Sequence, residues 1–148
     1  MSNLNRGKVM SPITLPITGS CLCEKVKFTI NELPKRVGLC HCKSCQIKSG
    51  ADHIAYMAVT KEAVEIYGEV KWFKAVGNSG KTKQHGFCPE CGTNLFGKPD
   101  HWPHILVVYL GALHRSNDFK PEVNIWMRDA LSWASIDHSL QNFDENPS

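Results

Sequence analysis

The sequence predicts a mainly β fold. Three observations carry that prediction. Glu24 to Ile30 alternates polar and apolar residues, the period-two mark of a half-buried strand. Ile105 to Leu110 is a continuous apolar run rich in β-branched residues, which suits a strand buried on both faces. No segment sustains a 3.6-residue apolar period between helix caps.

In chain order, residues 1–15 lack periodicity and are expected to form a flexible N-terminal extension, leaving residues 16–148 as one domain. The first strand signal, Glu24 to Ile30, is ended by Asn31-Glu32-Leu33-Pro34. Cys42 to Gly50 has room for a single helical turn. His53 to Val59 and Ala63 to Tyr67 read as strands, and Gly68-Glu69 as a turn before Val70 to Val76. Gly77-Asn78-Ser79-Gly80-Lys81 is the strongest turn signal and predicts a hairpin with Thr82 to Phe87. Asn94 to Gly97 and Ile105 to Leu110 complete the strands. Trp72, Phe73, Trp102, Trp126 and Trp133 are expected to pack in or at the edge of the core, because large aromatics dominate small cores.

The chain has 148 residues, of which 42% are hydrophobic and 21% charged, so one ordinary globular domain is expected. Seventeen basic against 14 acidic residues leave +3, too mild for a dedicated nucleic-acid binder, and no nucleic-acid partner is expected. Ile105 to Leu113 is less than half of the roughly 20 apolar residues that cross a bilayer, so no membrane partner is expected. Residues 1–20 hold no continuous apolar segment of a secretory leader, which points to the cytoplasm, where thiols stay reduced.

Seven cysteines stand in three groups: Cys21-x-Cys23, Cys40-x-Cys42-x-x-Cys45 and Cys88-x-x-Cys91. Seven is odd, and every cysteine lies within three residues of another, which disulfides do not explain. Metal ligation does, because neighbouring ligands turn their sulfurs onto one ion at low entropic cost. In an extended strand Cys21 and Cys23 would share a face, and Cys88-Pro89-Glu90-Cys91-Gly92 has the composition of a turn offering two more thiolates. Together these four suit a closed tetrahedral structural zinc site. Cys40, Cys42 and Cys45 then lack a local fourth ligand. Either the position is open, as in a catalytic zinc site, or a distant His53, His85, His101, His104 or Asp52 closes it. Spacing alone also allows the first cysteine pair to join the middle group. His41, between two ligands, is expected to face away from the metal. Lys43 and Lys48 are placed to hold a substrate carboxylate, with solvation as the default.

These motifs carry a resemblance. Gly19-Ser20-Cys21-Leu22-Cys23, Cys40-His41-Cys42-Lys43-Ser44-Cys45 with Ser49-Gly50, and Phe87-Cys88-Pro89-Glu90-Cys91-Gly92-Thr93-Asn94-Leu95-Phe96 resemble the glutathione-dependent formaldehyde-activating enzyme family. So do Pro121-Glu122-Val123-Asn124-Ile125-Trp126, Trp133, Ile136-Asp137, Leu140 and Phe143. The resemblance implies a β-tent fold of short antiparallel sheets with two zinc ions. Cys21, Cys23, Cys88 and Cys91 match the structural site, and Cys40, Cys42 and Cys45 the catalytic site. It implies carbon–sulfur lyase chemistry on glutathione or a similar small thiol and an aldehyde such as formaldehyde. The chain departs from the usual pattern at Glu24, where Gly is common, at Gln46-Ile47, where basic residues are common, and at Met127-Arg128-Asp129-Ala130.

The expectation is therefore a cytoplasmic zinc enzyme of carbon–sulfur lyase type; the sequence names no general base, and His53 and His85, the two guesses for one, are read first as structural. Its rivals are a non-catalytic carrier of the thiol or its adduct and a zinc-ribbon-like interaction module.

Overall fold

The computed structural model describes residues 12–77 and 80–147. They fold as a three-stranded sheet packed on one face of an eight-stranded sheet. The small sheet has the order β1 (Ile17–Ser20), β2 (Lys27–Ile30), β5 (Val64–Tyr67), antiparallel throughout. In the large sheet β3 (Arg36–Cys40), β4 (Ile54–Thr60), β9 (Ile105–Tyr109), β8 (Asn94–Pro99), β7 (Thr82–Phe87) and β6 (Lys71–Val76) follow one another antiparallel. Beyond β3 lie β10 (Val123–Ile125) and β11 (Gln141–Asn142), both parallel. The mainly β prediction holds. The one α-helix among the described residues, α1 (Lys43–Ser49), is capped by the Cys42 side chain, which accepts the Cys45 N–H, and ends at Gly50 in the left-handed conformation.

The face between the sheets is the core. Phe28 and Ile30 of β2 meet Met57 and Val59 of β4, Val108 of β9 and Phe96 of β8, all fully buried. Phe28 packs edge-on to Phe96 with ring centroids 5.2 Å apart, so truncating Phe28 to alanine would cost about 3–5 kcal/mol. Gly19 in β1 is required by this approach, since a Cβ there would stand 2.3 Å from Phe28 Cζ and 2.5 Å from the Ala112 carbonyl oxygen. As predicted, β9 is buried along its whole length, because it is central in the sheet and apolar material covers both faces.

Several details differ from expectation. β2 starts at Lys27 rather than Glu24, because Cys21 to Val26 form a closed turn in which the Cys21 N–H donates to the Val26 carbonyl at 2.9 Å. Cys21 and Cys23 therefore sit in a turn, not side by side on a strand. β3, β10 and β11 are strands without a clear sequence signal; β10 and β11 have three and two residues, too few for a period to show. Gln141 and Asn142 are both exposed. Phe73 (62% exposed) and Trp133 (69%) lie at the surface, whereas Trp72 packs against Phe96 and Trp102 and Trp126 line a cavity. The predicted hairpin forms, with Val76 opposite Thr82, although Asn78 and Ser79 lie outside the described residues. Of the expected extension, residues 1–11 also lie outside them, and Ile13 packs against the core.

Candidate metal centres and the adjoining cavity

Two turns at the edge of the core bring four sulfurs together. Cys21 follows β1, and Cys88 follows β7 in a turn closed by the Gly92 N–H donating to the Cys88 carbonyl at 2.9 Å. The Sγ atoms of Cys21, Cys23, Cys88 and Cys91 lie within 4.8 Å of one another, with Cys21 to Cys23 at 3.6 Å and Cys23 to Cys88 at 3.7 Å. A tetrahedron of zinc–sulfur bonds of about 2.3 Å has edges of about 3.8 Å, so the donor set fits that ion. Backbone N–H groups of Val26, Glu90 and Cys91 donate to these sulfurs at 3.3, 3.4 and 3.5 Å, which favours thiolate. Thr93 joins the two turns. Its hydroxyl accepts the Leu22 N–H at 3.0 Å and donates to Cys91 Sγ at 3.1 Å, drawing that thiol down to about 5.

The second group is built on one short stretch. Cys40 ends β3, Cys42 caps α1, and Cys45 lies in its first turn with its N–H donating to Cys42 Sγ at 3.4 Å. The three sulfurs lie within 4.8 Å of one another, and among the described residues no histidine nitrogen or carboxylate oxygen joins them. Hydrogen bonds from the Cys40 and Cys45 thiols pull the Cys42 pKa far down, while Cys40 is pushed up in return. Crowded thiols share negative charge poorly without a cation, and three sulfurs with backbone support fit a soft or borderline dication.

Of the residues weighed for closing this group, none does. His53 turns Nδ1 to Asp52 at 3.0 Å, His104 is exposed, and His101 lies beside Trp102 with ring centroids 4.6 Å apart. His41 does face away, as expected, but into the protein. It is 1% exposed, and its Nε2 donates to Asn124 Oδ1 at 3.0 Å. Asn124 in turn donates to Asn142 Oδ1 at 2.9 Å, and the Ile125 carbonyl accepts the His41 N–H at 3.0 Å. The Pro121 to Trp126 motif thus anchors the cysteine loop. Gln46 is buried too, its side-chain amide donating to the carbonyls of His41 and Asp129 at 2.9 Å each, whereas Ile47 is exposed.

All three sulfur-bearing residues line a cavity of about 130 Å³ on the face of the large sheet opposite the core. Its floor comes from alternate residues of paired strands, among them Tyr56 of β4, Tyr109 of β9 and His85 of β7. Trp102 and Trp126 add apolar wall, and Arg36 and Lys83 bring positive charge. Gly97 of β8 makes room for Lys83 and Tyr109, since a Cβ there would stand 2.6 Å from Lys83 Cε and 3.1 Å from Tyr109 Oη. Burial works against the Lys83 ammonium, but Tyr109 and the three thiols attract it more strongly, and its pKa is raised. Lys48 is not solvated, contrary to the default. It reaches from the end of α1 to His85 Nδ1 at 2.8 Å and Tyr109 Oη at 3.0 Å, and burial with the nearby Lys83 lowers it to about 8. Lys43 is exposed. The Tyr56 hydroxyl is buried with no hydrogen-bond partner among the described residues, and burial pushes it up to about 12 against the pull of Arg36. Tyr56, Tyr109, Lys83 and Arg36 were not legible as site residues, although the i, i+2 spacing of Lys83 and His85 is the signal that places them on one face.

A family model described as glutathione-dependent formaldehyde-activating enzyme matches residues 16–129. Among solved structures, a structural genomics target from Rhodobacter sphaeroides is similar in fold. Its TM-score is 0.55 at 17% identity, and the match covers 67% of this chain and 89% of that one. No curated protein matches the chain.

Proposed function

The chain belongs to the glutathione-dependent formaldehyde-activating enzyme family, and from that premise we propose a zinc-dependent enzyme of carbon–sulfur lyase type. It forms and cleaves the S-hydroxymethyl adduct of a small thiol, glutathione or one like it, with an aldehyde such as formaldehyde. One observation carries the reading: three sulfurs, with no fourth ligand among the described residues, open on a cavity, while the other four make a tetrahedral set.

Cys21, Cys23, Cys88 and Cys91 hold a structural zinc, and Cys40, Cys42 and Cys45 hold a catalytic one. Zinc on three thiolates supplies a Lewis-acidic fourth position that favours the deprotonated form of an arriving thiol. Adduct formation makes one C–S and one O–H bond while the S–H bond and the carbonyl π bond are lost, so no further reactant is needed. The residues of the chain supply charge balance, orientation and exclusion of water. Three thiolates against a dication leave one negative charge, and a substrate thiolate adds a second. Lys83 and Arg36 in the cavity wall, with Lys48 behind His85, are cations that offset them. Tyr56 offers an unused hydroxyl as a hydrogen-bond donor to the bound oxygen or carboxylate. Trp102 and Trp126 keep the space dry. A cavity of about 130 Å³ is small beside the roughly 300–1,000 Å³ that encloses a drug-sized ligand. It seats the sulfur and the one-carbon unit, with the remainder of a larger thiol outside its mouth.

Seven reduced cysteines suit the cytoplasm, and among the described residues no helix is long and apolar enough to cross a membrane. The test replaces zinc by cobalt, counts metal per chain and follows thiolate-to-cobalt absorption while glutathione and smaller thiols are added. Two metals, saturable growth of the band and steady-state turnover with formaldehyde are expected. Saturable uptake without turnover would make the protein a carrier, and an unchanged spectrum with every thiol would sink the open-site assignment.

A further inference from the structure

His85 has a second reading that the geometry favours over a general base. Its Nδ1 lies 2.8 Å from Lys48 Nζ, and that nitrogen also lies 3.0 Å from Tyr109 Oη. An ammonium only donates hydrogen bonds, so Nδ1 of His85 must be the acceptor. An imidazole that accepts at Nδ1 and stays neutral carries its proton on Nε2. Burial and the charges of Lys48 and Lys83 lower the ring to about 4, so it is neutral at pH 7, while Lys48 at about 8 remains mostly charged. The ring is 6% exposed and lines the cavity that the three sulfurs line, whereas Lys48 stands behind it. Among the described residues its one hydrogen bond is that at Nδ1.

We propose that His85 is a catalytic hydrogen-bond donor, whose Nε2–H, fixed in that tautomer by Lys48, meets the aldehyde-derived oxygen in the three-sulfur cavity. The inference rests on the function proposed above for its substrate, but not for the tautomer. As the sulfur lone pair forms the C–S bond, the carbonyl π pair moves to oxygen, and a preorganised donor there lowers the barrier. The Nε2–H holds that charge without giving up its proton. The proton released when the thiol ionises returns to the oxygen from solvent, which completes the hydroxymethyl group. A neutral ring serves better than a cation, which would pair with the substrate thiolate and blunt it. Toward the oxygen Lys48 is a positioning residue, acting through the ring.

The experiment is nitrogen-15 histidine NMR of the zinc-loaded protein at pH 7, with the His85 signal assigned by its loss in His85→Gln. A protonated Nε2 with a bare Nδ1 is expected, and Lys48→Met should convert it to a mixture of tautomers. A doubly protonated ring, a proton on Nδ1, or a tautomer indifferent to Lys48→Met would overturn the proposal. Kinetics add a second arm. His85→Leu should lower kcat about 10²-fold with KM for the thiol little changed, and His85→Gln, which keeps an N–H donor, should recover part of that loss. Cobalt titration with thiol alone should be the same in His85→Leu as in the parent, since the thiol brings no developing oxyanion. Equal loss of thiol uptake and turnover would mark a structural role and overturn the proposal. A parent that shows no uptake or turnover contradicts the proposed function, while the NMR result still decides the tautomer.

Discussion

Replacing Cys88 by alanine separates the two metal centres by their mechanical roles. Cys23 and Cys88 are 65 residues apart, and their group ties the turn after β1 to the turn after β7. Treated as a cross-link, closing a loop of that length removes about 4 kcal/mol of unfolded-chain entropy, whereas the three-residue span of Cys42 to Cys45 gives about 2 kcal/mol. A domain of this size has about 5–15 kcal/mol in all, so the first loss is a large share of it. At roughly 3–4 °C per kcal/mol, Cys88→Ala should melt about 12–16 °C below the parent. Cys42→Ala loses about 1 kcal/mol of helix cap as well as the roughly 2 kcal/mol of the local group, and should fall by about three quarters as much. The assay is a thermal melt followed by circular dichroism on zinc-loaded protein, with metal counted in each variant. Cys88→Ala melting within about 3 °C of the parent would refute both the clamp and the division of the cysteines into four and three.

The other predictions concern residues whose backbone or hydroxyl is out of balance with its surroundings. Tyr56→Phe should raise the stability of the ligand-free protein by about 1 kcal/mol, by removing a buried hydroxyl without a partner, and weaken adduct binding; denaturant melts and cobalt titration check the two signs. Gly97→Ala should leave the melting temperature within a few degrees, because the Lys83 side chain is flexible at its end, yet displace that ammonium and raise the thiol concentration for half-saturation several-fold. Unaltered uptake would mean that Lys83 does not face the ligand. Glu24 holds φ +67°, so Glu24→Gly should stabilise by up to about 1 kcal/mol, read as a rise in denaturant midpoint, and a fall would show that the Glu24 side chain supports the turn.

The Glu24 backbone also explains a departure that the sequence showed without its reason. The resemblance read from the sequence sets glycine at this position, and the first cysteine pair lies in a turn whose fourth residue is left-handed. The ligand groups were readable because each is local. A sulfur one to three residues from another needs no knowledge of the fold to be counted, and thiolate chemistry narrows the metal. The strands with alternating or continuous apolar runs, such as β4 and β9, were readable for the same reason: a period of two is a property of consecutive residues.

What tertiary structure decided is everything set by strand pairing. Which cysteine groups combine was open in the spacing, and the sheet topology brings Cys23 to Cys88 across 65 residues. Lys48 reads as a solvated helix residue until β7 and β9 place His85 and Tyr109 against it, 37 and 61 residues away. The cavity is the sharpest case. Its floor alternates with the core along the same strands, so Tyr56 and Met57, neighbours in sequence, serve opposite faces of one sheet. Composition and periodicity determine that such strands have two faces. Only the packing of the small sheet on one of them leaves the other free for the three sulfurs.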